Sequence, residues 1–248
     1  MAVDGSNHYA FAAAGSSGLQ VFDVSDPKEV TLVGAGIGSP PFGYASKITL
    51  VKNIAGNALL ALVVDGTVLH AIDVRDPAAM VDIGTYDLDT QIYSVAIIPG
   101  GLVPRGLLLG TSNGLAVLGL DQFFDADSKT NSFTLIPNNL ELTSSVGDVK
   151  FIDNRAYLAA GDDGLVVVDT TDIANLAAIG NIDLSNYAAR VAIDNGTAYV
   201  TTISEGGAGI EIIDISTPAA LQFTAELKIK SATAAEVVGD HLLVTGYG

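Results

Sequence analysis

The chain is 248 residues long and carries a net charge of −17, because 28 acidic residues are set against only 11 lysines and arginines. So few cations exclude the clustered positive charge that binding to nucleic acid or to an anionic membrane surface requires. Cysteine is absent, which excludes disulfides and thiolate chemistry, and no apolar run reaches the roughly 18 residues of a membrane span.

Short apolar runs separated by Gly, Asp or Asn recur along the chain in a fixed order, and we name them strands A to D of a repeat. The stretch from Ala156 to Asp194 shows four such runs most clearly. Strand A is predicted at 1–5, 47–51, 94–98, 149–153, 190–194 and 236–240. Strand B is predicted at 8–15, 57–64, 105–110, 156–161, 198–203 and 241–246. Strand C is predicted at 18–24, 68–74, 114–120, 164–170 and 209–215, and a weaker strand D follows each C.

Matched positions near the end of strand C repeat every 45 to 50 residues, at Asp23, Asp73, Gly119, Asp169 and Asp214. That spacing is typical of four-stranded β-propeller blades, and runs that are apolar on both faces fit sheets covered on both sides. We therefore predict an all-β fold, a single β-propeller domain of four-stranded antiparallel blades over residues 1–248. The predicted repeats are 1–46, 47–92, 93–147, 148–188 and 189–234, with a partial, two-stranded sixth at 235–248.

The partial sixth repeat contains strands A and B but neither C nor D. Six blades are favoured, and the chain is either cut from a longer propeller or ends in a short last blade. A bare strand B exposes a pairing edge, which attracts other strands unless it is covered.

The sequence around strand C is specific enough to suggest a family. GLQVFDVSDP, LHAIDVRDP, GLVVVDTTD and GIEIIDISTP resemble the LVIVD repeat of bacteria and archaea. The third copy departs from this pattern, because Gly119 replaces the aspartate and a longer polar segment follows. The resemblance implies a propeller in an exported or cell-surface protein, often joined to other domains, and it supplies no catalytic residues.

Four aspartates near the end of strand C form a repeated set of carboxylates. They are Asp23, Asp73, Asp169 and Asp214. Because the same position recurs in nearly every repeat, we interpret them as structural turn residues whose side chains bond the following backbone N–H groups. A functional residue would be expected in one repeat only.

One polar segment offers a weak candidate for a metal site. Asp125, Asp127 and Asn131 place oxygen donors at alternate positions, a spacing that Ca²⁺ loops use. Lys129 occupies the third ligand position and no bidentate Glu follows, so an exposed polar insertion is the preferred interpretation. No cofactor is expected, and calcium is the one ion considered.

The best candidate for a binding site is a surface formed by loops. In propellers the D–A and B–C loops share one face, and aromatic residues with nearby cations occur around the D–A loops here. These candidate partner-binding residues are Phe42, Tyr44, Lys47, Tyr93, Tyr187 and Arg190. Aromatic rings with few cations favour a protein or polysaccharide partner, although the rings can equally serve to cover the ends of the sheets.

We predict a non-catalytic interaction module that is extracellular, cell-surface or periplasmic, with no nucleic acid partner and no membrane insertion. The alternative is a Ca²⁺-dependent propeller hydrolase with a central site, which needs acidic or amide side chains at the inner ends of several strands. Asp148 and Glu236 lie near such positions, but Lys47, Ser94 and Arg190 occupy the others and disfavour a cation. A structural spacer within a larger surface protein is the third hypothesis.

Overall fold

The computed structural model describes residues 1–4, 8–38, 42–52, 58–100, 104–120, 123, 132–138, 140–204, 207–229 and 231–246. The described residues form 22 β-strands and no α-helix, so this part of the chain has no helix long and apolar enough to cross a membrane. The all-β class predicted from the sequence is confirmed.

The strands form six sheets, numbered here in chain order. Sheet 1 contains β1 (Ala2–Asp4), β2 (Tyr9–Ala13), β3 (Leu19–Asp23) and β4 (Thr31–Leu32). Sheet 2 contains β5 (Ala45–Lys52), β6 (Ala58–Asp65), β7 (Val68–Asp73) and β8 (Val81–Asp87). Sheet 3 contains β9 (Ile92–Ile98), β10 (Gly106–Thr111), β11 (Gly114–Gly119) and β12 (Thr134–Leu135).

The second half of the chain continues the same pattern. Sheet 4 contains β13 (Asp148–Ile152), β14 (Arg155–Ala159), β15 (Leu165–Asp169) and β16 (Ala177–Ile182). Sheet 5 contains β17 (Tyr187–Asp194), β18 (Thr197–Ser204), β19 (Gly207–Asp214) and β20 (Gln222–Leu227). Sheet 6 contains only β21 (Ala232–Val238) and β22 (His241–Gly246).

Within each sheet the strands lie side by side in chain order, as short turns between consecutive strands require. The pairing is antiparallel, as in sheet 4, where Leu158 of β14 lies opposite Val149 of β13 and Val166 of β15. Five four-stranded sheets followed by a two-stranded one is the arrangement that the repeats predict.

Strand A begins two or more residues earlier than predicted in four repeats. β5, β9, β17 and β21 begin at residues 45, 92, 187 and 232, whereas the sequence pattern begins at 47, 94, 190 and 236. The pairing register of β5 shifts between Ala45 and Lys47, and that of β21 shifts between Ala232 and Ala234, with a similar break in β17. Such a bulge inserts an unpaired residue and breaks the two-residue alternation. The predicted repeat boundaries at 47, 93, 189 and 235 therefore fall inside strands.

The chain separates into two compact units. The first contains residues 1–107 and 118–135, and the second contains residues 108–117 and 136–248. Each unit has a core in which consecutive sheets pack together, and this explains why many strands are apolar on both faces.

In the first unit, one core cluster joins sheets 1 and 2. It includes Phe11 and Val21 from sheet 1 and Val63 and Ile72 from sheet 2. In the second unit, the corresponding cluster joins sheets 4 and 5. It includes Leu165, Val167, Val200 and Ile213, all of them fully buried.

Candidate binding face of the loops

Backbone hydrogen bonds tie the turn between strands B and C of one sheet to the start of strand A of the next. In the first unit, Gly15 and Ala45 exchange two bonds of 2.9 and 3.0 Å. In the second unit, Gly161 and Ala188 exchange bonds of 3.1 and 2.9 Å. We call these two pairs the loop bridges. They hold each loop before strand A against a neighbouring turn.

Asp65, at the end of β6, fixes the loop that leads into β5. Its carboxylate accepts the backbone N–H of Gly43 at 2.5 Å and that of Tyr44 at 2.8 Å. These two residues directly precede Ala45 of the first loop bridge. The backbone beneath the Tyr44 side chain is therefore held by a carboxylate and by the bridge together.

In the second unit, Asp163 similarly fixes the loop that leads into β13, although that loop does not adjoin the second loop bridge. Its carboxylate accepts the backbone N–H of Thr143 at 2.7 Å and that of Ser144 at 3.0 Å, together with the hydroxyl of Thr143. Burial by itself would raise the pKa of Asp163, but the bonds from Thr143 and Ser144 outweigh it and lower the pKa below its usual value.

Tyr44 is the most exposed of the predicted aromatic residues, with 65% of its surface open to solvent. Its ring lies against Gly15, since a Cβ added to that glycine would stand 3.0 Å from Cε2 of the tyrosine. One side of the ring thus rests on a backbone turn while much of the rest faces solvent. This combination of a fixed base and an open ring suits a contact residue.

Tyr187 holds the matching place in the second unit, directly before Ala188. A Cβ added to Gly161 would lie 2.8 Å from Cε2 of Tyr187, so this ring also covers a glycine turn. Unlike Tyr44, the side chain is half-buried, and its hydroxyl is hydrogen-bonded to the hydroxyl of Ser145. The side chain of Tyr187 is therefore more fully engaged in contacts within the protein than that of Tyr44.

The other predicted face residues are placed differently from one another. Phe42 is 1% exposed and its ring centroid lies 4.6 Å from that of His70, so it is a core residue and not part of an open face. The prediction that Phe42 is an exposed contact residue is therefore wrong, because its ring packs in the core cluster that joins sheets 1 and 2. Tyr93 is exposed but lies within β9, and Lys47 and Arg190 are half-buried within β5 and β17.

The four repeated aspartates near the end of strand C all make the same local bond. Each carboxylate accepts the backbone N–H of the residue two positions later, at 2.8 to 3.0 Å: Asp23 from Ser25, Asp73 from Arg75, Asp169 from Thr171 and Asp214 from Ser216. Bonds from the side chain and then from the backbone of that partner lower the pKa of each carboxyl. The geometry is that of a turn held by its own aspartate.

The acidic positions considered for a central metal site have different surroundings. Asp148 is buried, and its carboxylate accepts the backbone N–H of Val191 at 3.2 Å while the ammonium of Lys150 stands 3.7 Å away. Glu236 is exposed and, with Lys150, lines an open groove of about 400 Å³ along strands β13, β17 and β21. Asp148 is thus already engaged by protein donors.

Across the described residues, no three His, Cys, Asp or Glu side chains come together in a way that could hold a metal ion. The weak calcium candidates Asp125, Asp127 and Asn131 lie outside the residues that the structure describes.

The sequence pattern does not predict the burial or the hydrogen bonds of several polar residues. Glu211 is 2% exposed and accepts the backbone N–H of Ser185 at 3.0 Å; burial, joined by the nearby charge of Glu226, raises its pKa. His70 is buried with Nδ1 2.7 Å from a carboxylate oxygen of Asp82. Both lie inside apolar runs assigned to strand C, and the repeat pattern does not distinguish them from their apolar neighbours. Asp65 and Asp163 could be recognised from the sequence only as parts of turns.

A family model describes part of this chain. The LVIVD repeat matches residues 1–35, 144–184 and 185–227, which lie in the first, fourth and fifth repeats. No curated protein matches the chain.

Solved structures resemble the chain over nearly its whole length. A putative 6-phosphogluconolactonase from Bacteroides fragilis NCTC 9343 has a TM-score of 0.72 at 14% identity, over 98% of this chain and 75% of that one. A chain of the Mitotic Checkpoint Complex has a TM-score of 0.69 at 11% identity, over 99% and 70%. This chain spans 65% of the computationally designed Ika8 protein, at a TM-score of 0.66 and 13% identity over 96% of this chain.

Sequence identities this low are evidence for the fold alone. The fold is that of a β-propeller, as predicted. The family model matches the repeats that the sequence around strand C suggested. The chain thus contains LVIVD repeats at these three segments.

Proposed function

We propose that the chain is a non-catalytic interaction module, and that its loop face binds a partner protein. By loop face we mean the loops that precede strands A together with the turns between strands B and C. The observation that carries the proposal is Tyr44, which is 65% exposed on a backbone held by Asp65 and by the loop bridge at Ala45.

The physical argument rests on the cost of ordering a contact residue. Binding normally immobilises side chains and loops, and that loss of entropy subtracts from affinity. A tyrosine has only two side-chain torsions, and the backbone of Tyr44 is already fixed, so little further ordering is needed. Tyrosines of this kind are enriched among the few residues that dominate binding energy.

The charge of the chain indicates which partner surfaces are compatible. A net charge of −17 repels acidic partners at long range and favours a neutral or basic one. Exposed aromatic rings with few nearby cations suit a polypeptide contact, and a polysaccharide is the competing partner class.

An exported or cell-surface location, within a larger assembly, forms part of the same proposal. The LVIVD resemblance supports the location. The likeness to a chain solved within the Mitotic Checkpoint Complex supports the use of this fold in protein assemblies. Further domains in a longer native protein would fit this role.

The proposal is tested by selecting a random peptide library on the immobilised protein and measuring the Kd of an enriched peptide by calorimetry. Changing Tyr44 to Ala is expected to weaken that peptide about tenfold or more, which is the loss typical of an aromatic anchor. The variant Tyr187→Phe serves as the matched control, because it alters a half-buried tyrosine at the equivalent position. It is expected to bind like the wild type.

Peptides that bind Tyr44→Ala and the wild-type protein equally well would place the binding site elsewhere and overturn the proposal. A glycan array probed in parallel decides the partner class. Saturable glycan binding that is lost in Tyr44→Ala, without any enriched peptide, would replace the protein partner by a polysaccharide.

A further inference from the structure

The turn between β6 and β7 is bonded to two segments that each carry an exposed tyrosine. On one side, the carboxylate of Asp65 accepts the backbone N–H of Tyr44 at 2.8 Å. On the other side, the carbonyl of Gly66 accepts the backbone N–H of Ile92 at 3.1 Å, directly before Tyr93. Tyr44 and Tyr93 therefore lie on segments fixed by consecutive residues of one turn, and all of these residues belong to the first unit.

Both tyrosines and the turn between their segments are open. Tyr44 is 65% exposed and Tyr93 is 37% exposed. Gly66 has φ of +64°, and a Cβ added there would meet nothing within 4 Å. At Gly15, by contrast, an added Cβ would meet the ring of Tyr44 at 3.0 Å. The backbone of Gly66 thus has free space above it. We call Tyr44, Gly66 and Tyr93 the aromatic turn.

Three carboxylates lie at or next to the aromatic turn. Asp65 belongs to the turn itself, whereas Asp87 ends β8 and Asp89 lies in the loop that leads into β9, and the last two are exposed. This loop is bonded to the same turn, because the backbone N–H of Leu88 donates to the carbonyl of Thr67 at 3.1 Å. Hydrogen bonds from the backbone of Asp89 and then from the side chain of Thr67 lower the pKa of Asp87, so this carboxylate is ionised at neutral pH.

The lysines and arginines of the first unit lie away from the aromatic turn. The described segments of its loop face contain neither residue type, over 14–18, 33–38, 42–44, 65–67 and 87–91. Four of the five described cations lie at the opposite ends of the strands, in or beside the A–B and C–D turns. They are Lys28, Lys52, Arg75 and Arg105. The fifth, Lys47, is half-buried within β5. The charge around the aromatic turn is therefore negative, and it complements a cation on the partner.

We propose that the aromatic turn binds an arginine side chain of the partner protein. The guanidinium plane stacks on an open tyrosine ring, and its N–H groups donate hydrogen bonds to the neighbouring carboxylates. The inference rests on the proposed function, because it names the partner side chain that the loop face recognises. It also extends the contact from Tyr44 to Gly66 and Tyr93.

Three kinds of partner side chain differ in how they suit this site. An apolar side chain would cover the carboxylates without replacing their bonds to water, and burying an unpaired charge is costly. Lysine supplies a compact, strongly hydrated charge, whereas arginine combines a planar face for stacking with five N–H donors in a fixed fork. Asp65 already accepts two backbone N–H groups, and its oxygens keep lone pairs for further donors. Arginine is therefore the side chain that satisfies both the rings and the carboxylates.

The probe is N-acetyl-arginine methylamide, titrated into the full, isotopically labelled 248-residue chain and followed by NMR. Saturating shifts are expected at the amides of Tyr44, Gly66 and Tyr93, with a Kd in the millimolar range because one side chain makes few contacts. The matched probe is the citrulline analogue, which has nearly the same shape but no charge. It is expected to bind about fivefold more weakly, because it loses the cation–π and charge-assisted contacts.

Protein variants test the rings and the carboxylates separately. Tyr44→Leu and Tyr93→Leu keep an apolar side chain but remove the aromatic face, and at least one of them is expected to abolish the preference for arginine over citrulline. Asp89→Asn is expected to weaken the arginine probe about threefold at low salt. Its backbone, with φ of +54°, accommodates Asn. Asp76→Asn is the control, because it makes the same change at an exposed aspartate in a C–D turn, and it is expected to leave binding unchanged.

The proposal is overturned if the arginine and citrulline probes bind equally, if both tyrosine variants keep the preference, or if Asp89→Asn and Asp76→Asn have equal effects. Equal binding of N-acetyl-lysine methylamide would show that charge alone is recognised, and it would overturn the assignment to arginine.

This inference and the proposed function can fail separately. Selected peptides that depend on Tyr44 but contain no arginine would support the proposed function and overturn the inference. An arginine probe that behaves as expected, together with selected peptides that bind Tyr44→Ala and the wild type equally, would overturn the proposed function and support the inference.

Discussion

The carboxylate of Asp65 accepts a 2.8 Å hydrogen bond from the backbone N–H of Tyr44, which lies 21 residues earlier in the chain. The same carboxylate also accepts the N–H of Gly43. A single side chain thus fixes two consecutive peptide groups directly beneath the exposed ring that we propose as the contact residue.

We predict that Asp65→Ala lowers the free energy of unfolding by about 1–2 kcal/mol, because both N–H groups lose their shared acceptor. Urea denaturation followed by circular dichroism measures this loss. Asp65→Asn keeps one acceptor oxygen, so its free energy of unfolding is expected to lie between those of Asp65→Ala and the wild type. Asp162→Ala, a change at an exposed turn aspartate, serves as the control, and equal unfolding midpoints for Asp65→Ala and Asp162→Ala would contradict the prediction.

A second prediction concerns the close approach of Tyr187 to its glycine turn. Gly161 has φ of +57°, and an added Cβ would lie 2.2 Å from Oγ of Ser144 and 2.8 Å from the Tyr187 ring. Gly239 has nearly the same φ of +56°, but a Cβ there would meet nothing within 4 Å. Gly239→Ala therefore measures the cost of the left-handed backbone alone, about 1–2 kcal/mol.

Gly161→Ala is expected to cost about 1–3 kcal/mol more than Gly239→Ala, since the overlap forces neighbouring side chains to move. Both values come from urea unfolding of the purified variants. If the two variants lose equal stability, the ring and the serine are not packed against the turn as described.

The buried carboxyl of Glu211 leads to a prediction about pH. Because burial raises its pKa, the folded state holds its proton to a higher pH than the unfolded state, whose ordinary value is 4.5. This group therefore favours folding below pH 4.5, and the contribution is lost as pH rises through the folded pKa. Glu211→Gln keeps an acceptor for the N–H of Ser185 and removes the charge.

Glu211→Gln is thus expected to be more stable than the wild type at pH 7, by about 0.5–1.5 kcal/mol, and to match it near pH 4. Thermal unfolding between pH 4 and pH 8 measures the difference. Glu29→Gln makes the same chemical change at an exposed position and should leave the pH dependence unaltered. A lower Tm for Glu211→Gln at pH 7 would show that the carboxylate is favoured where it lies.

For the turn aspartates, the predicted change of stability with pH has the opposite direction from that of Glu211. Hydrogen bonds lower the pKa of Asp23, Asp73, Asp169 and Asp214 below the ordinary value of 3.8. Their bonds therefore add stability above pH 3.8, and this is lost as the pH falls through the lower folded values. A variant with all four changed to Asn is expected to be less stable than the wild type at pH 6, with the gap closing below pH 3.8. A gap that stays constant down to pH 2.5 would show that ionisation of these groups does not matter.

Sheet 4 shows how far sequence reasoning reaches in this fold. Its strands were predicted to within two residues, because each apolar run in this repeat is bounded by a turn sequence. In sheet 2 the bulge between Ala45 and Lys47 interrupts the alternation, and the start of β5 was missed for that reason.

The candidate face was harder to predict than the strands. Phe42 and Tyr44 are two residues apart in similar loop sequence, yet one is buried and the other is the most exposed aromatic of the set. Nothing periodic distinguishes them, because burial in a loop depends on contacts from distant segments such as His70. The role of Asp65 was hidden for the same reason, since its partners lie more than twenty residues away.

The loop bridges have a consequence for how the chain opens and how it can grow. Because Gly15 and Ala45 each satisfy the other's N–H and C=O groups, neither can open to solvent while the other stays bonded. Their amide protons should show the same protection against exchange, so the smallest cooperative unit is a pair of neighbouring sheets and not a single sheet. A repeat gained by duplication is then accommodated only if it brings both partners, a glycine turn for the repeat that follows and a strand start for the repeat before.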